Sequence, residues 1–455
     1  STLLLEQRKR LHQSTAEAIE TLFPDDFDEL APTLGAHYKN AGLPHKAVPH
    51  LLRAADRAKK TYANAEAISY YTSALEQVDR AAYGDATAQS SAAIGICEHL
   101  GNMLVLTGQR DEARIMFQRG LDALGDRNAI TRCRLNRLMA NAWILNRHRA
   151  EAERFLFAAQ VSLGEESPEH QADWWDEFIE LGLERLWFMY WFFQSEGLMR
   201  ELVDGLEPSI NRYANATQRC KYYRSRALYE LSRCHWYQPG EHVVALADQA
   251  VAAAEQGATI VDLCFALFGS AFIHLWRDEL DTTLSLLLSM IPLAERCGDA
   301  ERLVMGVNYI ALTYRRLRNV EQTQLFAERT LILATGADMP TYVGMAKGNL
   351  AWVALQRGNS ALAEQYARAG LTLLAPPIPA SWAVTMPLVA ALHNRGETVE
   401  SVALLEKTLA GLQKFAPPVE VAIKAVTAAN NAKDMEATRS RIGDVLSAAE
   451  QHNYL

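Results

Sequence analysis

The sequence lacks most of the devices by which a chain declares its chemistry. No Gly-rich loop ends in Gly-Lys followed by Ser or Thr, so the phosphate cradle of a nucleotide-hydrolysing site is absent. There is likewise no GxGxxG, no GxSxG and no HExxH, which removes the common dinucleotide, acyl-transfer and zinc-protease signatures. No apolar run approaches the ~20 residues of a membrane span, the stretch LSLLLSMIPLA at 284–294 being too short. Positive charge is not in excess: 45 basic against 54 acidic residues leave a net charge of −9, a poor match to nucleic acid or an anionic membrane. The six cysteines (Cys97, Cys133, Cys220, Cys234, Cys264, Cys297) contain no CxxC pair and read as reduced, mostly buried thiols of a cytoplasmic protein. Twelve histidines supply no i, i+4 pair with a third ligand in register; His45 and His50 lie five apart and point to different faces. We therefore expect no metal, no cofactor and no catalytic residues in this chain.

Strand signals are also missing. No segment sustains a period of two, and no Asn-Gly or Asp-Gly turn joins β-branched runs. What fills the chain instead is a helical ladder of small and bulky residues. In the stretch 30–75 Gly35 is followed by Tyr38, Gly42, Ala47, Leu51 and Ala54, at +3, +7, +12, +16 and +19. The same ladder returns as Gly101, Leu104, Gly108, Ala113, Phe117, Gly120, and as Ala140, Trp143, Arg147, Ala152, Leu156, Ala159. Later copies start at Ser270, Ala311, Ala351 and, more weakly, Val389. Their turn positions, 277, 318, 358 and 396, are separated by 41, 40 and 38 residues. Helix pairs at this period predict an all-α, right-handed α-solenoid of TPR-like hairpins with repeats of about 40 residues. Small residues at 0, +12 and +19 let antiparallel helices approach, while the large ones at +3 and +16 are expected to fill the gap to the next pair.

The chain of 455 residues is long enough for several such units. We expect an N-terminal helical arm and first repeat over 1–84, and repeats over 85–165. An irregular, aromatic-rich helical segment should follow over 166–257, then further repeats over 258–415 and capping helices over 416–455. An amphipathic helix over 3–22 opens the chain and stops at Phe23-Pro24-Asp25-Asp26, with Asp26 or Asp28 as the next cap. Because the sequence begins inside a helical pattern and without Met, we expect it to belong to a longer protein.

The ladder, with its Gly-rich turns and Ala-rich second helices, resembles the tetratricopeptide repeat (TPR) superfamily. The first 80 residues or so permit a narrower likeness. Leu11-His12, Ala16-Glu17-Ala18, Leu22-Phe23-Pro24, His37-Tyr38, Gly42, Lys46-Ala47, Leu52, Ala54-Ala55 and Ala63-Asn64-Ala65-Glu66-Ala67 resemble a junction in large bacterial signalling proteins. In those proteins a nucleotide cyclase, protein kinase or histidine kinase region precedes an AAA/STAND-type ATPase and a long TPR-like C-terminal region. The resemblance implies a non-catalytic regulatory module that binds a peptide, protein or effector and biases the upstream ATPase and its output. LuxR-type ATP-dependent transcriptional activators carry a similar region and form the alternative. They should end in a DNA-binding helix-turn-helix, whereas 419–455 carries only Lys424, Lys433, Arg439 and Arg441 as cations. The expected partners are a protein or peptide ligand, or upstream domains of the same chain, with neither nucleic acid nor membrane insertion.

Repeat phase also nominates binding residues. Arg134, Arg137 and Asn141 should face the concave groove in one repeat, Asn308, Arg315 and Arg316 in another, and Trp352 and Gln356 in a third. Arginine forks and asparagine amides suit an acidic or carboxylate-ended peptide; a solvated helix face is the plainer reading. The aromatic run from Trp174 to Phe193 places Trp187, Tyr190 and Trp191 on one helical face. It reads either as core between flanking repeats or as a hydrophobic docking patch. Gly344-Met345-Ala346-Lys347-Gly348 reads as close packing, and the basic, aromatic segment 219–233 as an amphipathic helix whose cations snorkel.

Overall fold

A computed structural model describes residues 2–80, 83–145, 148–164, 172–192, 196–374 and 380–455; Arg147, Phe193, Pro376, Pro377 and Pro379 lie outside them. Among the described residues there are 22 helices and no strand. The chain divides into two compact units, residues 1–193 with 296–298, and residues 194–295 with 299–455.

The first unit holds α1 (Thr2–Leu22), α2 (Phe27–Ala41), α3 (Pro44–Lys60), α4 (Asn64–Val78), α5 (Ala86–Leu106), α6 (Arg110–Leu124), α7 (Ala129–Leu145), α8 (Arg149–Leu163) and α9 (Ala172–Trp191). The second runs through α10 (Glu196–Tyr213), α11 (Ala216–Arg233), α12 (Glu241–Glu255), α13 (Ile260–Trp276), α14 (Leu280–Cys297), α15 (Ala300–Arg316) and α16 (Val320–Gly336). It ends with α17 (Pro340–Gln356), α18 (Ser360–Leu371), α19 (Trp382–Arg395), α20 (Thr398–Leu409), α21 (Pro417–Asn431) and α22 (Met435–Gln451).

Helix boundaries follow local chemistry. Asn319, Asn359 and Asp434 each accept a bond from the backbone N–H three residues on, closing the first turns of α16, α18 and α22. Asn215 with Gln218, and Thr259 with Asp262, form capping boxes on α11 and α13. Asp26 occupies the N-cap of α2 without a side-chain bond to it. The hairpin turns pass through left-handed backbone at Gly42, Gly108, Asp278, Arg318, Gly358 and Gly396, which ends one helix and turns the chain back. These sit at, or one residue from, the turn positions read from the sequence.

The ladder has a clear steric meaning. A Cβ on Gly35 would lie 2.9 Å from Leu51 Cδ2, and one on Gly101 would lie 2.3 Å from Phe117 Cε1. Position +16 therefore closes on position 0 of its own hairpin and does not fill the gap to the next. Position +19 touches both hairpins: a Cβ on Gly120 would meet Leu135 Cδ1 of α7 at 3.3 Å and Cys97 Cβ of α5 at 3.5 Å. In α17 and α18 the backbones themselves touch, since a Cβ on either Gly344 or Gly370 would lie 2.8 Å from the other's carbonyl oxygen.

Within the second unit, α11 packs on α13, α13 on α15, α15 on α17 and α17 on α19, while α12, α16 and α18 each pack on the odd helices to either side. These odd helices, each packed on the next, are the inner helices of the unit. Contact between them also makes them part of the core: Ser270, Asn308, Thr313, Arg315, Asn349 and Thr385 are all buried there.

Candidate functional site

In the first unit, Arg134, Arg137 and Asn141 occupy one face of α7 at i, i+3 and i+7. Glu177, Glu180 and Glu184 repeat that spacing on α9. Arg137 Nε donates to Glu177 Oε1 at 2.6 Å and Arg134 Nε to Glu177 Oε2 at 3.2 Å. Asn141 Nδ2 donates to Glu184 Oε1 at 2.8 Å, and Glu180 stands 3.7 Å from Arg137 Nη1. Glu177 is 1% exposed. Burial alone would lower the pKa of Arg137, but the charges of Glu177 and Glu180 outweigh it and hold the guanidinium above its ordinary range. Burial and the same carboxylate push the Cys133 thiol up to about 12. The three candidates are thus brought together, and an acidic helix of the same unit already answers them.

The aromatic run forms α9. Trp174, Trp187 and Phe188 are buried, whereas Tyr190, Trp191 and Phe192 are half-buried. Trp174 stacks on Phe178 at 5.1 Å and donates its indole N–H to the carbonyl of Leu163 at 3.2 Å. Trp187 stacks on Tyr190 and meets Trp191 edge-on. The cations of 219–233 are held internally: Arg224 lies over the Phe265 ring at 3.7 Å, Arg226 binds Glu207 and Arg233 binds Glu196.

The inner helices of the second unit hold buried polar groups without partners, as Gln77 on α4 does in the first unit. Asn308 on α15 and Asn349 on α17 are fully buried, 41 residues apart in the same phase of consecutive repeats. Neither amide oxygen nor amide nitrogen of either side chain has a partner among the described residues. Trp352 is fully buried with its indole N–H unpartnered, and Gln356 is exposed. Arg315 is 2% exposed and donates only to the carbonyls of Ala383 (2.6 Å) and Tyr454 (2.9 Å). The rings of Trp382 and Trp352 stand 5.2 and 5.8 Å from its guanidinium. With no carboxylate paired to it among the described residues, burial lowers its pKa to about 9. Burial lowers Arg316 as well, against the pull of Asp278, and Arg316 donates to Leu275 O and to that carboxylate.

Tyr454 completes this region. Its ring meets Trp382 edge-on at 5.0 Å and Phe415 at 5.1 Å, and its hydroxyl accepts from Ala416 N–H at 3.1 Å. Gln413 Oε1 accepts from the Trp382 indole, while its Nε2 donates to Trp236 O. A cavity of about 70 Å³ lies alongside, walled by Trp276, Arg316, Gln413, His452 and Tyr454 among others. The fold here is the TPR-like α-solenoid.

Comparison with known proteins agrees on architecture. No family model and no curated protein matches the chain. Among solved structures it is similar to a Rap protein complexed with competence and sporulation factor, at 11% identity and a TM-score of 0.50, covering 71% of this chain and 87% of that one. NprR in complex with its cognate peptide NprX gives 14% identity and a TM-score of 0.47 over 70% of this chain and 84% of that one. A STAND protein with a tetratricopeptide repeat sensor from Pyrococcus horikoshii gives 13%, 0.45, 82% and 55% in the same order.

Sequence phase nominates Asn308, Arg315, Arg316 and Trp352 as groove-facing, and the structure instead buries Asn308, Arg315 and Trp352 between packed helices; Asn349, Trp382, Phe415 and Tyr454 were not nominated. Asn349 was within reach, because it follows Asn308 by one repeat. Nothing local marks Tyr454, which meets its partners only through long-range folding.

Proposed function

We propose that this chain is a non-catalytic recognition module, the TPR-like region of a larger bacterial signal-transduction protein. Its inner face would bind a peptide, protein or effector and bias an upstream ATPase, cyclase or kinase. The observation that carries this is the pair Asn308 and Asn349, buried on adjacent inner helices with their amides unpartnered, beside Arg315, buried with carbonyl partners but no counter-charge among the described residues. An unsatisfied buried polar group costs about 1–3 kcal/mol, and such a cost is tolerated where a ligand removes it. A peptide backbone offers donor and acceptor together, as an asparagine amide requires, and a carboxylate matches the arginine fork. Six free cysteines fit a reducing cytoplasm. Residues 1–84 serve in this reading as the arm toward the upstream domains.

For such coupling the ligand must prefer one conformation of the solenoid. A peptide library screened by thermal shift should return binders that raise the melting temperature. Saturation at a hundredfold excess over Kd is worth about 2.7 kcal/mol, and Asn308→Leu with Asn349→Leu should abolish the shift. A library without binders, together with unchanged upstream activity when residues 1–455 are deleted from the full protein, defeats the reading.

A further inference from the structure

α22 ends at Gln451, and the four residues after it turn back into the second unit. Asn453 takes left-handed backbone (φ 60°), and Tyr454 N–H donates to Ala449 O at 2.8 Å. This cap drives the Tyr454 side chain, 6% exposed, into the aromatic slot of Trp382 and Phe415. Its carbonyl then faces Arg315 Nη2 at 2.9 Å. Each contact is one that a bound peptide makes: an aromatic anchor in a box, a hydroxyl held by backbone N–H, a main-chain oxygen on a buried arginine.

The match is incomplete at one point. Arg315 is a fully buried cation that receives only neutral carbonyl oxygens from Ala383 and Tyr454. A buried charge without a counter-charge is costly, and a carboxylate on a guanidinium forms the stronger, two-point contact. The depressed pKa of Arg315 is the same deficit seen from the side of the proton. The neighbouring cavity of about 70 Å³ leaves room for atoms the tail does not supply, since one water needs about 10–15 Å³ on that measure.

We propose that residues 452–455 are an internal stand-in for the ligand, and that the slot they fill accepts a peptide presenting an aromatic side chain beside a carboxylate. This rests on reading the second unit as a peptide-recognition module. The incoming carboxylate replaces the Tyr454 carbonyl on Arg315, its aromatic ring replaces that of Tyr454, and residues 452–455 are displaced from the slot. Asp278, ion-paired to Arg316 at 3.0 Å, lines the same cavity.

The test uses the 455-residue chain and a fluorescein-labelled peptide Gln-His-Asn-Tyr, as free acid and as C-terminal amide, whose terminal carboxylate stands where the Tyr454 carbonyl does. By fluorescence anisotropy, Tyr454→Ala should bind the free acid at least tenfold more tightly than the unsubstituted chain does. The amide should bind at least tenfold more weakly than the acid, and adding Arg315→Met should erase that difference. Equal binding of acid and amide, or binding indifferent to Arg315→Met, overturns the proposal. Should Tyr454→Ala lose its cooperative melt, hydrogen exchange on the unsubstituted chain decides instead. Excess free acid must speed exchange of the Tyr454 and Ala416 amides, and unchanged protection overturns the proposal. Library peptides that depend on Asn308 and Asn349 yet ignore Arg315 and Tyr454 would remove this inference and leave the module reading standing.

Discussion

Replacing Glu177 with Gln tests whether the α7–α9 face is an ion-paired core. The carboxylate is 1% exposed and takes bonds from Arg137 and Arg134, whose side chains are 10% and 34% exposed. Removing one partner of a buried pair usually costs about 3–5 kcal/mol. Here Arg137 keeps Glu180 at 3.7 Å and Arg134 keeps Glu98 at 3.7 Å, so the loss belongs at the lower end. About 3 kcal/mol corresponds to a fall of roughly 6–12 °C in melting temperature for a unit of this size. Urea unfolding followed by tryptophan fluorescence is the assay, because Trp174, Trp175 and Trp187 lie on the same helix as Glu177. Glu177→Leu with Arg137→Met should return to within about 1 kcal/mol of the parent, since an apolar pair removes both desolvated charges. A Glu177→Gln variant within about 0.5 kcal/mol of the parent would refute the buried-charge argument. A double variant as weak as the single would shift the explanation from charge to packing.

Three further outcomes follow from the same geometry. Gly95 and Gly101 share α5, but a Cβ on Gly95 meets nothing within 4 Å. Gly95→Ala should stabilise by about 1 kcal/mol through helix propensity, and Gly101→Ala should destabilise by about 1–3 kcal/mol through its clash with Phe117, both read by urea melts. Asn349→Leu should raise stability without ligand by about 1 kcal/mol; a drop above 2 kcal/mol would mean the amide is hydrogen-bonded in the native protein. Glu364 is held below its ordinary pKa by its bond to Arg368 and then by Arg395. A depressed carboxylate contributes fully above its unfolded value near 4.5 and loses that contribution as pH falls through the folded value. The gap between the parent and Glu364→Gln in urea midpoint should therefore shrink from pH 6 to pH 3; a constant gap would contradict the shift.

The repeat architecture was legible because it is written in local sterics. Gly35 with Leu51, and Gly101 with Phe117, are sixteen residues apart and touch, so a fixed spacing reports a real contact. The site was less legible. Phase puts Asn308 on the groove-facing side of a first helix, whereas adjacent odd helices pack tightly enough to bury it, which phase cannot report. The acidic partners of Arg134 and Arg137 repeat their spacing 43 residues later, but the register crosses a segment where the ladder is irregular. The Gln413–Trp236 bond spans 177 residues, a distance over which no period carries information.

The backbone contact between Gly344 and Gly370 bears on how this chain can vary over time. At Gly101 the obstacle to a methyl group is the Phe117 side chain, which a second substitution can shrink, so that hairpin can drift by compensated pairs. At Gly344 the obstacle is the carbonyl of Gly370, and at Gly370 it is the carbonyl of Gly344. Neither oxygen has a rotamer to move, and no exchange of side chains elsewhere relieves it. In the α17–α18 hairpin, which carries Asn349 and Trp352, these two positions are thereby closed to any residue with a Cβ unless the helices move apart. Descendants of this sequence are free to retune the rest of the inner face around a pair of glycines they must keep.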